Sequence, residues 1–293
     1  FSLARNVGEQ WYASLDAQQA QYSSDLLQSG RLGEERYVSA SIERSLPDGA
    51  AELTLDASLR DDDDRFGVGL SRSWTLGSRD AMQVSLDWDR ASLESGLMRA
   101  IGKQSGIGVA GQHRFSARDQ LGWTLRHNRY DTIDGQRLGS AEAVSTEWTQ
   151  IQKFSGPTWL VRTGIDYQRA RLESGRLDGL SVADGGALEL EDITANTLLQ
   201  DEFGRVYAGT SLQRGLPGAL NRTRVQYTWS LDLLAGWQFT DSSFVYGINA
   251  GVGIELLGDD ELAVTGGYQS APRGGGGEPG GTLGLTYSLR FGR

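Results

Sequence analysis

Apolar and polar residues alternate with a period of two along most of this chain, which is the pattern of strands with one apolar face. Residues 243–257 show it most clearly. Phe244, Tyr246, Ile248, Ala250, Val252, Ile254 and Leu256 share one face, and Gly247, Asn249, Gly251, Gly253 and Glu255 share the other. Residues 222–240 repeat the pattern, with Tyr227, Trp229, Leu231, Leu233 and Trp237 set against Thr228, Ser230, Asp232 and Gln238. Earlier stripes run through Leu53, Leu55 and Leu59, through Phe66, Val68, Leu70 and Trp74, and through Met82, Val84, Leu86 and Trp88. Residues 97–116 and 139–154 alternate less cleanly and are expected to carry bulges.

Fourteen strands can be placed this way, over about 9–24, 33–45, 51–59, 66–76, 81–91, 99–116, 120–130, 139–154, 159–172, 204–216, 222–240, 243–257, 261–271 and 281–292. Short turns, such as Pro47, Asp48 and Gly49 or Gly77 to Asp80, alternate with mostly longer polar connections near 26–34, 60–65, 92–98, 131–138, 173–203 and 271–281. Residues 240–243 are the short exception on the long side. Alternating connection lengths predict an all-β fold, a transmembrane antiparallel up-and-down β-barrel with short periplasmic turns and longer outer loops. Trp74, Phe115, Trp123, Phe154, Trp159 and Phe291 fall near short turns or the C-terminus, where an aromatic girdle belongs. A soluble β-sandwich also alternates, but it does not call for so many long strands with Trp at their ends. Sixteen strands are favoured if residues 173–203 hold a further hairpin turning at Asp184, Gly185 and Gly186.

Composition narrows the class. The 293 residues include 38 acidic and 28 basic ones, for a net charge of −10, with 40 Gly, 5 Pro, 8 Trp, 10 Tyr and 8 Phe. So many aromatics argue against disorder. No apolar run approaches the roughly 18 residues of a membrane helix. The acidic balance argues against nucleic acid as a partner. There is no Cys, and hence no disulfide, thiolate metal site or Cys nucleophile.

The polar stripes carry the candidate chemistry. Asp16, Glu43, Glu52, Asp56, Asp87, Asp89, Glu147, Asp166, Asp232 and Glu255 are expected to face the lumen, against Arg126, Arg162, Arg224 and Arg290. A lumen of one sign concentrates ions of the other, so these acids are candidates to draw cations into a pore. The alternative is that they form ion pairs across strands. Tyr12, Tyr37, Tyr130 and Tyr207 can also point inward, where a ring offers a stacking face for a ligand, or serve in the girdle or in packing. His113 and His127 fall on apolar stripes, so neither is a candidate for acid–base catalysis, and no catalytic residue is expected. Asp61 to Asp64 lack the ligand spacing and Gly of a calcium loop. Gly274 to Gly277 are followed by no Lys and enter no helix, unlike a phosphate loop. No cofactor or metal is therefore expected. Residues 173–203 carry Asp178, Asp184, Glu189, Glu191, Asp192, Asp201 and Glu202 among apolar residues. They are either a gate folded over the pore mouth or an extra hairpin of the wall.

Near the C-terminus, Gly284, Tyr287, Leu289 and Phe291 resemble the β-signal read by the outer-membrane barrel assembly machinery. As a whole the chain resembles the C-terminal porin domains of the PelB family, exporters of the Pel exopolysaccharide. The likeness rests on the opening strand from Gln10 to Asp16, the acidic composition and the barrel length. It is related in plan to the cellulose and poly-N-acetylglucosamine export porins. The resemblance implies a non-catalytic domain of the bacterial outer membrane that exports a cationic exopolysaccharide. Implied partners are that chain, outer-membrane lipids and lipopolysaccharide, a PelC-like periplasmic lipoprotein ring, a tetratricopeptide scaffold in the same chain, and the barrel assembly machinery. Residues 1–10 would then be a linker from that scaffold and 11–293 the barrel. The rival readings are a general cation-preferring diffusion porin, an autotransporter translocator and an enzyme barrel.

Overall fold

The computed structural model describes residues 2–23, 31–59, 64–91, 98, 102–153, 156–173, 181–182, 186–187, 195, 201–215, 227–255, 260–270 and 280–289. The strands are β1 Ser2–Asn6, β2 Trp11–Ser23, β3 Arg31–Leu46, β4 Gly49–Leu59, β5 Arg65–Leu76, β6 Asp80–Ala91, β7 Gly102–Arg114, β8 Asp119–Thr132, β9 Arg137–Lys153, β10 Thr158–Leu172, β11 Ser181–Val182, β12 Gly186–Ala187, β13 Glu202–Arg214, β14 Tyr227–Gln238, β15 Ser243–Ile254, β16 Asp260–Gln269 and β17 Gly280–Leu289. Fifteen of them form one sheet in chain order, from β1 at one end to β17 at the other. This is the up-and-down order that the alternating stripes predict.

The chain divides into two compact units. One comprises residues 1–113, 123–144 and 168–202, and the other residues 114–122, 145–167 and 203–293. In the first, the register aligns Leu55 with Val68 and Val68 with Trp88, and aligns Leu53, Leu70, Leu86 and Ile107 in a second row. Most of these residues are exposed, Trp88 at 69 %, and Phe66 two residues before Val68 on β5 is as exposed. In the second unit, Trp229, Val252, Val264 and Leu285 form a comparable row, and Leu283 reaches 86 % exposure. Directly paired residues share a face, so the apolar side chains of successive strands add up to a continuous apolar surface. A water-soluble monomer rarely exposes such a surface. A bilayer-spanning sheet requires one.

Several features depart from the sequence expectation. Residues 1–10, expected as a linker, contain β1, which pairs with β2 from Ser2 opposite Asp16 to Asn6 opposite Tyr12. Among the described residues the main sheet has fifteen strands, where sixteen were favoured. A hairpin does form within 173–203, because β11 pairs with β12 across residues 183–185. That ribbon is a separate two-stranded sheet, and β13 follows β10 directly in the main one. The connection expected to be long at 131–138 is a tight turn over 133–136. The Gln136 N–H donates to the Thr132 hydroxyl at 2.9 Å, the Gly135 N–H donates to the Thr132 carbonyl at 3.0 Å, and Gly135 takes φ +84°. β14 is described from Tyr227 onward, and residues 222–226 of the stripe expected there lie outside the described residues.

Register shifts occur at Tyr22/Ser23 in the pairing of β2 with β3 and at Asp87/Arg90 in that of β6 with β7. Pairing of β6 with β7 passes from Asp87 opposite Gly106 to Arg90 opposite Gln104, so Trp88 and Asp89 together oppose Ser105. Asp89 takes φ +50°, a conformation Asp tolerates better than most residues. The chain beyond it is thereby shifted by one residue relative to the two faces.

Candidate functional site: the polar face

In the first unit the bulge builds an ion cluster. Arg90, brought onto the polar face, donates through Nε to Asp56 and through Nη1 to Asp87 Oδ1 at 2.8 Å. Asp56 is 4 % exposed and also accepts from the Tyr37 hydroxyl at 2.7 Å. Long side chains can lie flat here because β5 supplies Gly67 and Gly69. A Cβ at Gly67 would come within 2.7 Å of the Arg90 Cα, and one at Gly69 within 3.1 Å of its Nη1. The same bulge turns Asp89 away. Its carboxylate accepts from the Ser105 hydroxyl and from Lys103 Nζ, both at 3.4 Å, on the parity of exposed Ile107. Asp89, expected beside Asp87 on the polar face, therefore lies on the opposite one, because one inserted residue reverses side-chain direction.

In the second unit the polar face is also laced by guanidinium–carboxylate pairs. Arg162 Nη2 donates to Asp232 at 2.6 Å. Arg205 Nη2 lies 2.9 Å from Asp166, which is 5 % exposed. The Tyr207 hydroxyl donates to Glu147 at 2.8 Å, and Gly164 makes room for it, since a Cβ there would sit 2.6 Å from that hydroxyl. Thr228 donates to Glu261 beside Gly253. Of the tyrosines considered as stacking faces, Tyr37 and Tyr207 are thus tied to carboxylates. Tyr130 is fully buried and accepts from Asn128, and Tyr12 stands opposite Glu43.

Asp16, Glu43 and Glu52 behave differently. Asp16 aligns with Ser39, and Ser39 with Asp56. Glu43 and Glu52 are direct cross-strand partners, an arrangement like charges disfavour. Among the described residues none of these three carboxylates has a basic partner. Glu255 follows β15 directly. Sequence reasoning missed Arg90, Arg65 and Arg205 as bases of this face. Alternating Gly67 and Gly69 were the available signal for Arg90, since glycines on a polar stripe leave room for a long neighbour.

Of the residues assigned to a gate, Asp178, Asp184, Glu189, Glu191 and Asp192 lie outside the described residues. The Asp201 carbonyl accepts from the Ala170 N–H at 2.7 Å, and Glu202 opens β13. Of the assembly signal, Gly284, Tyr287 and Leu289 lie on β17, opposite Thr265, Leu262 and Asp260. Phe291 lies outside the described residues, as do Asp61 to Asp63 and Gly274 to Gly277. His113 Nδ1 is 2.7 Å from Asp80, and His127 Nδ1 is 4.0 Å from Glu142. At the short-turn end, Arg44 lies 5.4 Å from the Trp11 ring and Arg72 lies 5.0 Å from the Trp74 ring. Arg72 donates to Asp48 at 2.6 Å and holds that carboxyl below the usual carboxylate range.

An exposed apolar face, a charged polar face and an up-and-down antiparallel order define a transmembrane β-barrel of the bacterial outer membrane. The chain belongs to the family of PelB C-terminal β-barrel domains, which it matches over residues 1–290. A solved structure described as a bacterial polysaccharide outer membrane secretin shares the fold. It superposes with a TM-score of 0.63 at 14 % identity, covering 99 % of this chain and 90 % of its own. No curated protein sequence matches the chain.

Proposed function

We infer that this domain is the outer-membrane conduit of a polysaccharide export system, and that it acts without covalent chemistry. The observation that carries the reading is the charged face running along the strands of a sheet whose other face is apolar, in a chain of the PelB barrel family. The similar fold described as a polysaccharide secretin supports it. In this reading the polar face lines the lumen. Asp56, Asp87, Asp166 and Asp232 are held by arginines, so they fix the wall rather than set the field. Asp16, Glu43, Glu52, Glu147 and Glu255 provide the surplus negative charge, which favours a cationic chain. Residues 173–203 act as a loop over the outer mouth. A periplasmic tetratricopeptide scaffold and a lipoprotein ring deliver the chain, and the barrel assembly machinery inserts the domain through β17.

Export is tested by deleting the encoding gene in its own host and complementing with the full-length chain. Loss and recovery of extracellular polysaccharide, measured on washed cells, is the expected result. Unchanged polysaccharide with reduced uptake of small cationic solutes would instead assign a diffusion porin.

A further inference from the structure

The polar groups of this face are not used evenly. Around Asp56, Glu147, Asp166 and Asp232 the long side chains bond to one another. Beside the Asp56–Arg90–Asp87 cluster, across β4 to β8 of the first unit, a second group of polar side chains does not. There the polar face holds a cavity of about 310 Å³, lined among others by Glu52, Ser71, Gln83, Ser85, Thr124 and Arg126. Register places Glu52 opposite Ser71, and Ser71 opposite Ser85, in a single row. None of these six side chains has a hydrogen-bond partner in the protein among the described residues. One wall is the rigid pair of Asp87 and Arg90, so the cavity is preformed at that side. Its volume lies at the lower end of the roughly 300–1,000 Å³ range of small-ligand sites.

A group without a protein partner in such a cavity is hydrated. A ligand that gains there must replace water hydrogen bonds with its own, in both directions. Carboxylate Glu52 accepts, guanidinium Arg126 donates, and the Ser, Thr and Gln side chains do both. An apolar ligand would forfeit these bonds, and a simple anion or cation would meet the wrong charge at one end. A ring bearing several hydroxyls matches the set.

We propose that this cavity is a binding station for a pyranose unit of the exported chain, held through Glu52, Gln83 and Arg126 over the row of serines. The proposal rests on the conduit reading given above. The station gives a passing chain one site of defined residence, as conduction requires binding strong enough to enter and weak enough to leave.

The test uses the full chain reconstituted in planar bilayers, with hexasaccharides of glucose, N-acetylglucosamine and glucosamine added in turn. The readout is the duration of single-channel blockades. Gln83→Leu removes hydrogen-bonding groups without altering charge, at an exposed position. It is expected to shorten blockades by about tenfold, the loss of one or two hydrogen bonds. Asn249→Leu, on the polar face of the other unit opposite Asp232, is expected to leave them unchanged. Glu52→Gln with Arg126→Gln gives a second, polar variant with the same expected shortening. Blockades of equal length in wild type and Gln83→Leu, or shortened equally by Asn249→Leu, overturn the station while leaving conduction in place. The absence of blockade by every hexasaccharide overturns the conduit reading and the station together.

Discussion

At the scale of single residues, Arg90 has the largest structural consequence. It joins Asp56, almost fully buried, to Asp87. Removing one member of a buried pair leaves a charge without compensation. Arg90→Met is therefore expected to cost about 3 kcal/mol, the low end for a broken buried pair because Arg90 keeps 31 % exposure. Urea titration of the refolded barrel in detergent measures this. Adding Asp56→Asn to that variant is expected to restore most of the loss, since the stranded charge is gone. A second prediction concerns the turn outside the strands. The Arg72 hydrogen bond lowers the Asp48 carboxyl below its ordinary value. The folded-state pKa is thus below the unfolded one, about 3.9. The stabilisation is present above the unfolded value and is lost as pH falls through the folded one. The stability difference between wild type and Asp48→Asn is expected to stay constant from neutral pH to about pH 5. It is expected to shrink below about pH 4, as followed by the same titration at each pH. A difference independent of pH down to about pH 2 would show that the hydrogen bond to Arg72 does not act through charge.

At the scale of elements, much of the fold was legible and the reasons are specific. The stripes through Phe244 to Ile254 and Leu53 to Leu59 identify strands and faces because a strand repeats every second residue, and the register confirms that they align across neighbours. What the stripes do not reveal is an inserted residue. Asp89 obeys the alternation of its sequence neighbours, and only the φ of +50° moves it to the other face. Arg90 was invisible as a base of the polar face for the same reason. Short pairings are equally hard to read. β1 spans five residues, too few for periodicity, and gains its place from β2 rather than from its own pattern. The ribbon of β11 and β12 shows the limit in the other direction. The turn was readable from Asp184 and Gly185, whereas its separation from the main sheet is a tertiary outcome. That separation yields a prediction. Because β13 already follows β10 in the sheet, deletion of residues 178–200 is expected to leave a heat-modifiable, folded barrel on electrophoresis, with higher single-channel conductance. Failure to fold would make the segment part of the wall, and an unaltered conductance would remove its role as a gate.

At the scale of the whole molecule, the question is which charges set the field of a pore. Counting acids along the stripes treats every lumen carboxylate as equal. Pairing separates them, because a carboxylate bonded to a guanidinium contributes little net potential at a distance, whereas an unpaired one contributes its full charge within about a Debye length. Asp87 is paired with Arg90, and Asp89 lies on the apolar face with Lys103. Glu43 and Glu52 face each other without a basic partner among the described residues. The selectivity of the channel should follow the second pair and not the first. In a tenfold salt gradient, Glu43→Gln with Glu52→Gln is expected to move the reversal potential of the reconstituted chain toward zero by about half. Asp89→Asn is expected to leave it unchanged, and both effects should weaken as ionic strength rises. The choice of Asp89 as the comparison matters, because it also removes a carboxylate charge from the same molecule, one against the two of the double variant, but on the other face. A shift that scaled with net charge alone, whichever face lost it, would mean that the polar face does not line the path of the ions.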